Sequence, residues 1–220
     1  MGTMNLFIVT GTTKGIGAAL RDVLAADKNN LVFTLSRAPD ADSLPRNVHL
    51  DVSDLAAIEP AFETIRTQIL DQRFDRAVLI NNAGVASPVG AFDQISAEAT
   101  GRNLIVNVAA PMALSRLFAN ATRGSARQRL IVNISSGAAK RAVAGWSAYC
   151  AAKAALEMAT RVAALEASTN DPTLSICSLA PGVVDTPMQG LIRDTNEKDF
   201  PDVARFRADR KSTRLNSSHQ

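Results

Sequence analysis

The chain has 220 residues, room for one domain with a substantial core, and its 46% hydrophobic and 20% charged residues are ordinary for a globular protein. A formal charge of +3, with no block of Lys/Arg interleaved with aromatics, argues against a nucleic-acid partner. No apolar run approaches the ~20 residues of a membrane span, no secretory leader pattern opens the chain, and the two cysteines suit a reducing compartment better than a metal site. A cytoplasmic protein with no bound metal and no membrane partner is therefore expected.

Asn5–Thr10 (NLFIVT) is apolar and β-branched and reads as a buried strand. Gly11-Thr12-Thr13-Lys14-Gly15-Ile16-Gly17 follows, then an alanine-rich helix over residues 18–27. Glycines between a strand and a helix let the backbone approach a pyrophosphate, which the helix amino terminus attracts. The spacing is G-x-x-x-G-x-G, so the turn alone is a modest signal. Residues 31–35 form the second strand, which ends in Ser36-Arg37. An acidic residue here binds the adenosine ribose, whereas a basic one accommodates a 2′-phosphate. Arg37, with Lys14 in the glycine turn, therefore points to NADP(H) over NAD(H). Asp40 and Asp42 read as loop residues.

Residues 47–50 are a brief third strand closed by Asp51-Val52, and Asp54 is an N-cap candidate for a helix to about Leu70. The fourth strand, 77–80, ends in Asn81-Asn82-Ala83-Gly84, where the asparagines can tie down neighbouring backbone and Gly84 leaves room for a ligand. A long helix over 96–120 contains Pro111, which removes a hydrogen bond and predicts a kink.

The fifth strand, 130–134, delivers Ser135-Ser136-Gly137 to its carboxyl end, where open α/β sheets bind ligands. Tyr149 comes thirteen residues after Ser136, and Lys153 four later in an alanine-rich helix, so the two share a helix face. A phenol of pKa near ~10 is a slow acid at neutral pH. A neighbouring ammonium is expected to lower that value and fit Tyr149 for proton exchange with a carbonyl or alcohol oxygen. Ser136 can hydrogen-bond the same oxygen. A sixth strand, 173–179, precedes Pro181-Gly182-Val183-Val184-Asp185-Thr186. Val143, Trp146, Met188 and Leu191 suggest an apolar substrate pocket, with Met188, Leu191 and Ile192 beginning a mobile lid.

In this order the motifs resemble the short-chain dehydrogenase/reductase family. The resemblance is carried by the glycine turn after Thr10, Asp51-Val52, Asn82-Ala83-Gly84, Asn107, Ser136, Tyr149-CAA-Lys153 and the 181–186 loop, across residues 4–190. LSR after the second strand, AYCAAKAALE and DTPMQ are similar to sepiapterin reductases and bacterial benzil or diketone reductases. The resemblance implies a doubly wound Rossmann-type fold, three layers α/β/α around a parallel sheet, in one domain over 4–208. It implies catalytic Asn107, Ser136, Tyr149 and Lys153, with Asn107 holding a water that links Lys153 to solvent. It assigns the cofactor to Gly11, Thr13, Lys14, Gly15, Ile16, Gly17, Ser36, Arg37, Asp51, Val52, Asn82, Ala83, Gly84, Tyr149, Lys153, Pro181, Gly182, Val184 and Thr186, the last two against the nicotinamide carboxamide.

The expected function is NADPH-dependent reduction of a small carbonyl substrate by a homodimer or homotetramer. The rival is a catalytically silent dinucleotide-binding regulator on the same fold. The tail departs from the family. Residues 209–219 read DRKSTRLNSSH, polar and aperiodic, and resemble a translated sequencing-adapter read. The expectation is a disordered, artefactual tail and a sheet without the family's last strand.

Overall fold

The computed structural model describes residues 4–37, 46–182 and 184–208. Asp40, Asp42, Val183 and the tail from residue 209 lie outside the described residues. The elements run β1 (Asn5–Thr10), α1 (Gly15–Ala25), β2 (Asn30–Ser36), β3 (Asn47–His49), α2 (Leu55–Ile69), β4 (Phe74–Asn81), α3 (Ala97–Leu104), α4 (Ala110–Ala121), β5 (Ala126–Ile134), α5 (Ser147–Asn170), β6 (Leu174–Leu179) and α6 (Pro187–Arg193). Six parallel strands pair in the order β3-β2-β1-β4-β5-β6. The chain moves outward one way through β2 and β3, then returns past β1 to β4. That reversal opens a crevice at the carboxyl ends of β1 and β4, where such sheets bind ligands.

The near-continuous apolar strands follow from burial on both faces. Ile8 is paired with Phe33 on one side and Leu79 on the other, and all three are fully buried. This face packs on Ile58, Phe62 and Ile65 of α2 and on Leu114 and Phe118 of α4. The alternating residues Val9, Val78 and Ile80 turn to the other face, against Leu20 and Leu24 of α1. Truncating one of these fully buried aliphatics to Ala costs ~2–5 kcal/mol. Asp54 caps α2 as expected, accepting from the amides of Ala56 (3.0 Å) and Ala57 (3.3 Å).

The long helix departs from its sequence reading. It is continuous from Ala97 to Ala121, but Ile105–Ala109 forms a π-helical turn in which the Ala110 amide reaches back to the Ile105 carbonyl. The irregularity therefore centres on Asn107, and Pro111 falls in the first turn of α4. The two facts are linked, because Pro111 has no N–H to offer the carbonyl four residues back, which is that of Asn107. This joined helix is long and apolar enough, by length and composition, to cross a membrane, although no single apolar run in the sequence suggested it. Its buried Asn103 and Asn107, its Glu98–Arg102 pair and its packing against α2 and α5 make it a core helix of the helical layer.

Candidate active site

A cleft of about 500 Å³ lies along the carboxyl ends of the strands. The β1–α1 turn forms its floor, with Gly11, Thr13, Lys14, Gly15 and Ile16 lining it. Gly11 has φ +71°, and a Cβ there would stand 2.9 Å from the Ala83 Cα. Gly17 does not line the cleft; a Cβ on it would lie 2.2 Å from the Gly11 carbonyl oxygen, so its role is to let α1 press against the turn. Gly15 and Ile16, in the first turn of α1, line the cleft, and the amino terminus of a helix favours an anion there.

Ser36, Arg37, Asp51 and Val52 line one end of the cleft. Hydrogen bonds from the Ser53 amide (2.9 Å) and hydroxyl (2.8 Å) hold the Asp51 carboxyl below the usual carboxylate value, with a smaller contribution from Arg37. Asn82 and Ala83 join β4 to the glycine turn. The Asn82 side chain donates to the carbonyls of Thr10 and Gly11, both at 3.0 Å, and the Thr10 hydroxyl accepts from the amides of Asn82 (3.0 Å) and Ala83 (2.9 Å). The strand-end asparagine thus ties down backbone as its position predicts, and Thr10, which heads the glycine motif, proves to be its partner.

Ser136, Tyr149 and Lys153 converge at the other end, with Pro181, Gly182, Val184 and Thr186 over them. Tyr149 and Lys153 are buried on one face of α5, as a spacing of four requires. Their electrostatics differ from expectation. The Lys153 ammonium donates to the Ile134 carbonyl at 2.9 Å and sits 5.7 Å from the centroid of the Tyr149 ring. Burial drags Lys153 down to about 8. Burial also pushes the Tyr149 phenol above its usual value, outweighing the opposing hydrogen bond with Ser136. Desolvation is therefore the larger effect here, and Tyr149 is held as a neutral acid.

Asn107 is fully buried and stands behind Gly84 rather than in the cleft. Its Oδ1 accepts from the Val85 amide (3.2 Å), and its Nδ2 donates to the Val85 carbonyl (2.8 Å) and to Oδ1 of Asn103 (3.0 Å). A Cβ on Gly84 would meet that Oδ1 at 3.0 Å and the Lys153 Nζ at 3.6 Å, so Gly84 is the thin partition between Asn107 and Lys153. Asn103 adds bonds to the carbonyls of Val85 (3.2 Å) and Ser87 (2.7 Å). The sequence reading missed Asn103; its signal was a second asparagine one helical turn before Asn107. Ser135, placed by the sequence at the same strand end, turns its hydroxyl to Glu157, to which it donates at 2.9 Å; Glu157 is the partner the sequence reading did not name.

A glycine turn at a helix amino terminus and a Ser/Tyr/Lys cluster thus occupy one cleft at the reversal of a parallel sheet. The family model for short chain dehydrogenases matches residues 5–197. The chain belongs to this family. It is an oxidoreductase of the class that acts on carbonyl and alcohol groups. It is 37% identical over 206 residues to a benzil reductase ((S)-benzoin forming) of Bacillus subtilis, covering 93% of this chain and 84% of the relative. It is 30% identical over 207 residues to the sepiapterin reductase of Rattus norvegicus, covering 86% and 78%. A solved short-chain dehydrogenase/reductase from Burkholderia vietnamiensis superposes with a TM-score of 0.74 at 34% identity, covering 90% of this chain and 94% of that one.

This dehydrogenase differs from its sequence reading at the substrate side. Of Val143, Trp146, Met188 and Leu191, only Met188 lines the cleft. Val143 and Trp146 are buried in a cluster with Ile192, Phe200, Val203 and Phe206, and Leu191 points to solvent. The rings of Phe200 and Phe206 lie 4.8 and 5.2 Å from that of Trp146, which in turn meets Tyr149 edge-on at 5.1 Å. The reason is burial of apolar rings: residues 194–208 fold back on α6, and the aromatic pair Phe200 and Phe206 from that segment covers the face the sequence reading left open. Ile192 is therefore part of a packed lobe. Arg193 fastens it, donating to the Phe206 carbonyl at 3.1 Å and pairing with Asp185 at 2.5 Å.

Proposed function

We propose that the protein is an NADPH-dependent carbonyl reductase for a small ketone or diketone. The observation that carries this reading is the Ser136–Tyr149–Lys153 cluster at one end of a cleft whose other end carries Arg37, with Lys14 in the turn between. Among the described residues, neither of those two cations has a carboxylate partner within salt-bridge distance. Together they suit the 2′-phosphate of NADP(H), and the glycine turn suits its diphosphate. The residues present fit a dinucleotide in shape as well: Gly84 leaves the strip beside Lys153 open, and the first turn of α1 faces the cleft. Asp51, Val52, Pro181, Gly182, Val184 and Thr186 are assigned to its two ends.

When bound, the dinucleotide supplies the hydride. This chain's residues handle the proton. Tyr149, kept neutral by burial, gives its proton to the carbonyl oxygen as the alcohol forms. Ser136 donates a hydrogen bond to that oxygen. The Lys153 ammonium stabilises the resulting phenolate and, below about pH 8, is charged and able to restore its proton. Asn107, across Gly84, fixes the wall on which this exchange takes place and is the assigned relay position. The likeness to benzil reductases favours a diketone. Met158, Val162 and Leu165, spaced along one side of α5, are exposed, and a homodimer or homotetramer that covers them is proposed. Both cysteines are free, which suits the cytoplasm.

The test is consumption of NADPH absorbance with a panel of diketones and simple ketones, repeated with NADH. Turnover with at least one diketone and a preference for NADPH is expected. Arg37→Ala is expected to weaken NADPH about tenfold and leave NADH unchanged. Equal loss for both cofactors, or preference for NADH in the unmodified protein, overturns the assignment of Arg37 and Lys14.

A further inference from the structure

Arg193 is the last residue of α6 and is buried. A buried guanidinium is held by the groups it bonds, and two of its bonds lead to different parts of the site. Its Nη1 donates to the Asp185 carboxylate at 2.5 Å, and its Nε donates to the Phe206 carbonyl at 3.1 Å. Asp185 stands between Val184 and Thr186, which line the cleft, yet neither Asp185 nor Arg193 lines it. The backbone at Thr186 is extended, with φ −122° and ψ 163°, and successive side chains of extended backbone turn to opposite sides. Thr186 leans on the glycine turn, its Cγ2 lying 3.2 Å from where a Cβ of Gly15 would be, while Asp185 turns back to Arg193.

The Phe206 end is fixed as well. Arg207 bonds the carbonyls of Arg193 (2.9 Å) and Thr195 (3.3 Å), which returns the segment to the end of α6. The Phe206 ring lies against Trp146, and Trp146 lies edge-on to Tyr149. One guanidinium thus joins the strip that borders the cleft to the aromatic lobe behind Tyr149.

We propose that Arg193 is a positioning residue that, through Asp185, holds the Val184-Asp185-Thr186 strip against the cleft and fixes it to the aromatic lobe. The pair acts through Val184 and Thr186, its neighbours in the strip. The inference rests on the proposed binding of a dinucleotide, whose nicotinamide end is assigned to this strip. Loss of the pair therefore weakens the hold on that end and spares the adenosine end, where Arg37 and Asp51 lie.

The test is a double-mutant cycle of Asp185→Ala, Arg193→Met and the two combined. The Asp185 side chain is 44% exposed, so truncating it removes the tie without opening a cavity in the core. Titration calorimetry reads the Kd of NADPH and of adenosine 2′,5′-bisphosphate, which lacks the nicotinamide. Thermal unfolding checks that each variant is folded. Asp185→Asn and Arg193→Lys take the places of any that are not, with an expected loss of about two- to threefold.

Each single variant is expected to weaken NADPH about five- to tenfold, with the bisphosphate within about twofold, and the double variant to lose no more than the weaker single. Unchanged NADPH Kd in the folded variants overturns the proposal, because the pair then serves stability alone. Equal loss for NADPH and the bisphosphate overturns it, because the whole cleft has then shifted. Losses that multiply in the double variant overturn it, because the two side chains then act separately. The unmodified protein is titrated first. If it binds neither NADPH nor NADH, the dinucleotide reading fails and the proposal falls with it. If it binds NADH alone, only the phosphate assignment fails, and the same cycle with NADH and AMP decides the role of Arg193.

Discussion

Arg129 and Lys153 are both cations, each at most 5% exposed, and both attach to β5 near its opposite ends. Their surroundings are opposite. The Arg129 guanidinium bonds the Ala119 carbonyl at 2.8 Å and the Thr173 hydroxyl at 2.9 Å, and pairs with Asp171. That carboxyl is held below its usual value, chiefly by its bond with Arg129. Lys153 has one backbone carbonyl, from Ile134, and no carboxylate within salt-bridge distance among the described residues. Its titration falls to about 8, whereas Arg129 has the partners a buried charge requires. A saturated buried cation ties a sheet to its loops, and an undersatisfied one beside a cleft retains a proton it can exchange.

The comparison is broken most directly at the chemistry. Tyr149→Phe is expected to lower turnover by at least ~10²-fold while NADPH affinity stays within about twofold. Near-normal turnover would remove the proton-donor role and with it the meaning of the Lys153 environment. Next in size is the structural end. Asp171→Ala strands the Arg129 charge and is expected to cost ~3–5 kcal/mol in urea unfolding, with the catalytic constants of the surviving folded protein unchanged. A loss under 1 kcal/mol would show that Arg129 reaches water and is not the saturated pair described.

Lys153→Met sharpens the contrast by separating stability from rate. Holding an ammonium whose folded value is about 8 costs on the order of 3 kcal/mol at neutral pH, so this variant should be no less stable than the parent while its turnover falls sharply. Marked destabilisation would mean that Lys153 is a structural cation like Arg129.

The smallest effect is in pH. Below about pH 8 Lys153 is protonated in both folded and unfolded chains, and the penalty is fully present. Between about 8 and the unfolded value of 10.5 only the unfolded chain keeps the proton, so stability rises with pH. Tyr149 acts the other way, because its raised folded value means stability falls once the unfolded phenol ionises near 10.0. Urea midpoints across this range should therefore rise from about pH 8 and turn down near 10, and Lys153→Met should lose the rise. Ketone reduction should decline over the same first window as the ammonium is lost. A flat profile in both measurements would contradict the buried environment of Lys153.

The strands, the glycine turn and the Tyr149–Lys153 face were legible because each depends on local spacing: buried parallel strands are continuously apolar, and a period of 3.6 puts residues four apart together. Gly11, Ser36, Arg37, Asp51 and Asn82 could be assigned to one cleft because each ends a strand, and parallel strands deliver their carboxyl ends to one edge. The bonding of Thr10, though it heads the glycine motif, and the membership of Asn103 were hidden, since their partners Asn82 and Val85 lie 72 and 18 residues away. The sequence by itself therefore determined the fold and the family, and it named the side chains proposed to react. Only the tertiary structure decided how those side chains are tuned. Burial, a property of the whole packed molecule, raised Tyr149 and lowered Lys153 against the pairwise expectation, and tertiary packing brought Phe200 and Phe206 over Trp146 where an open substrate wall had been foreseen.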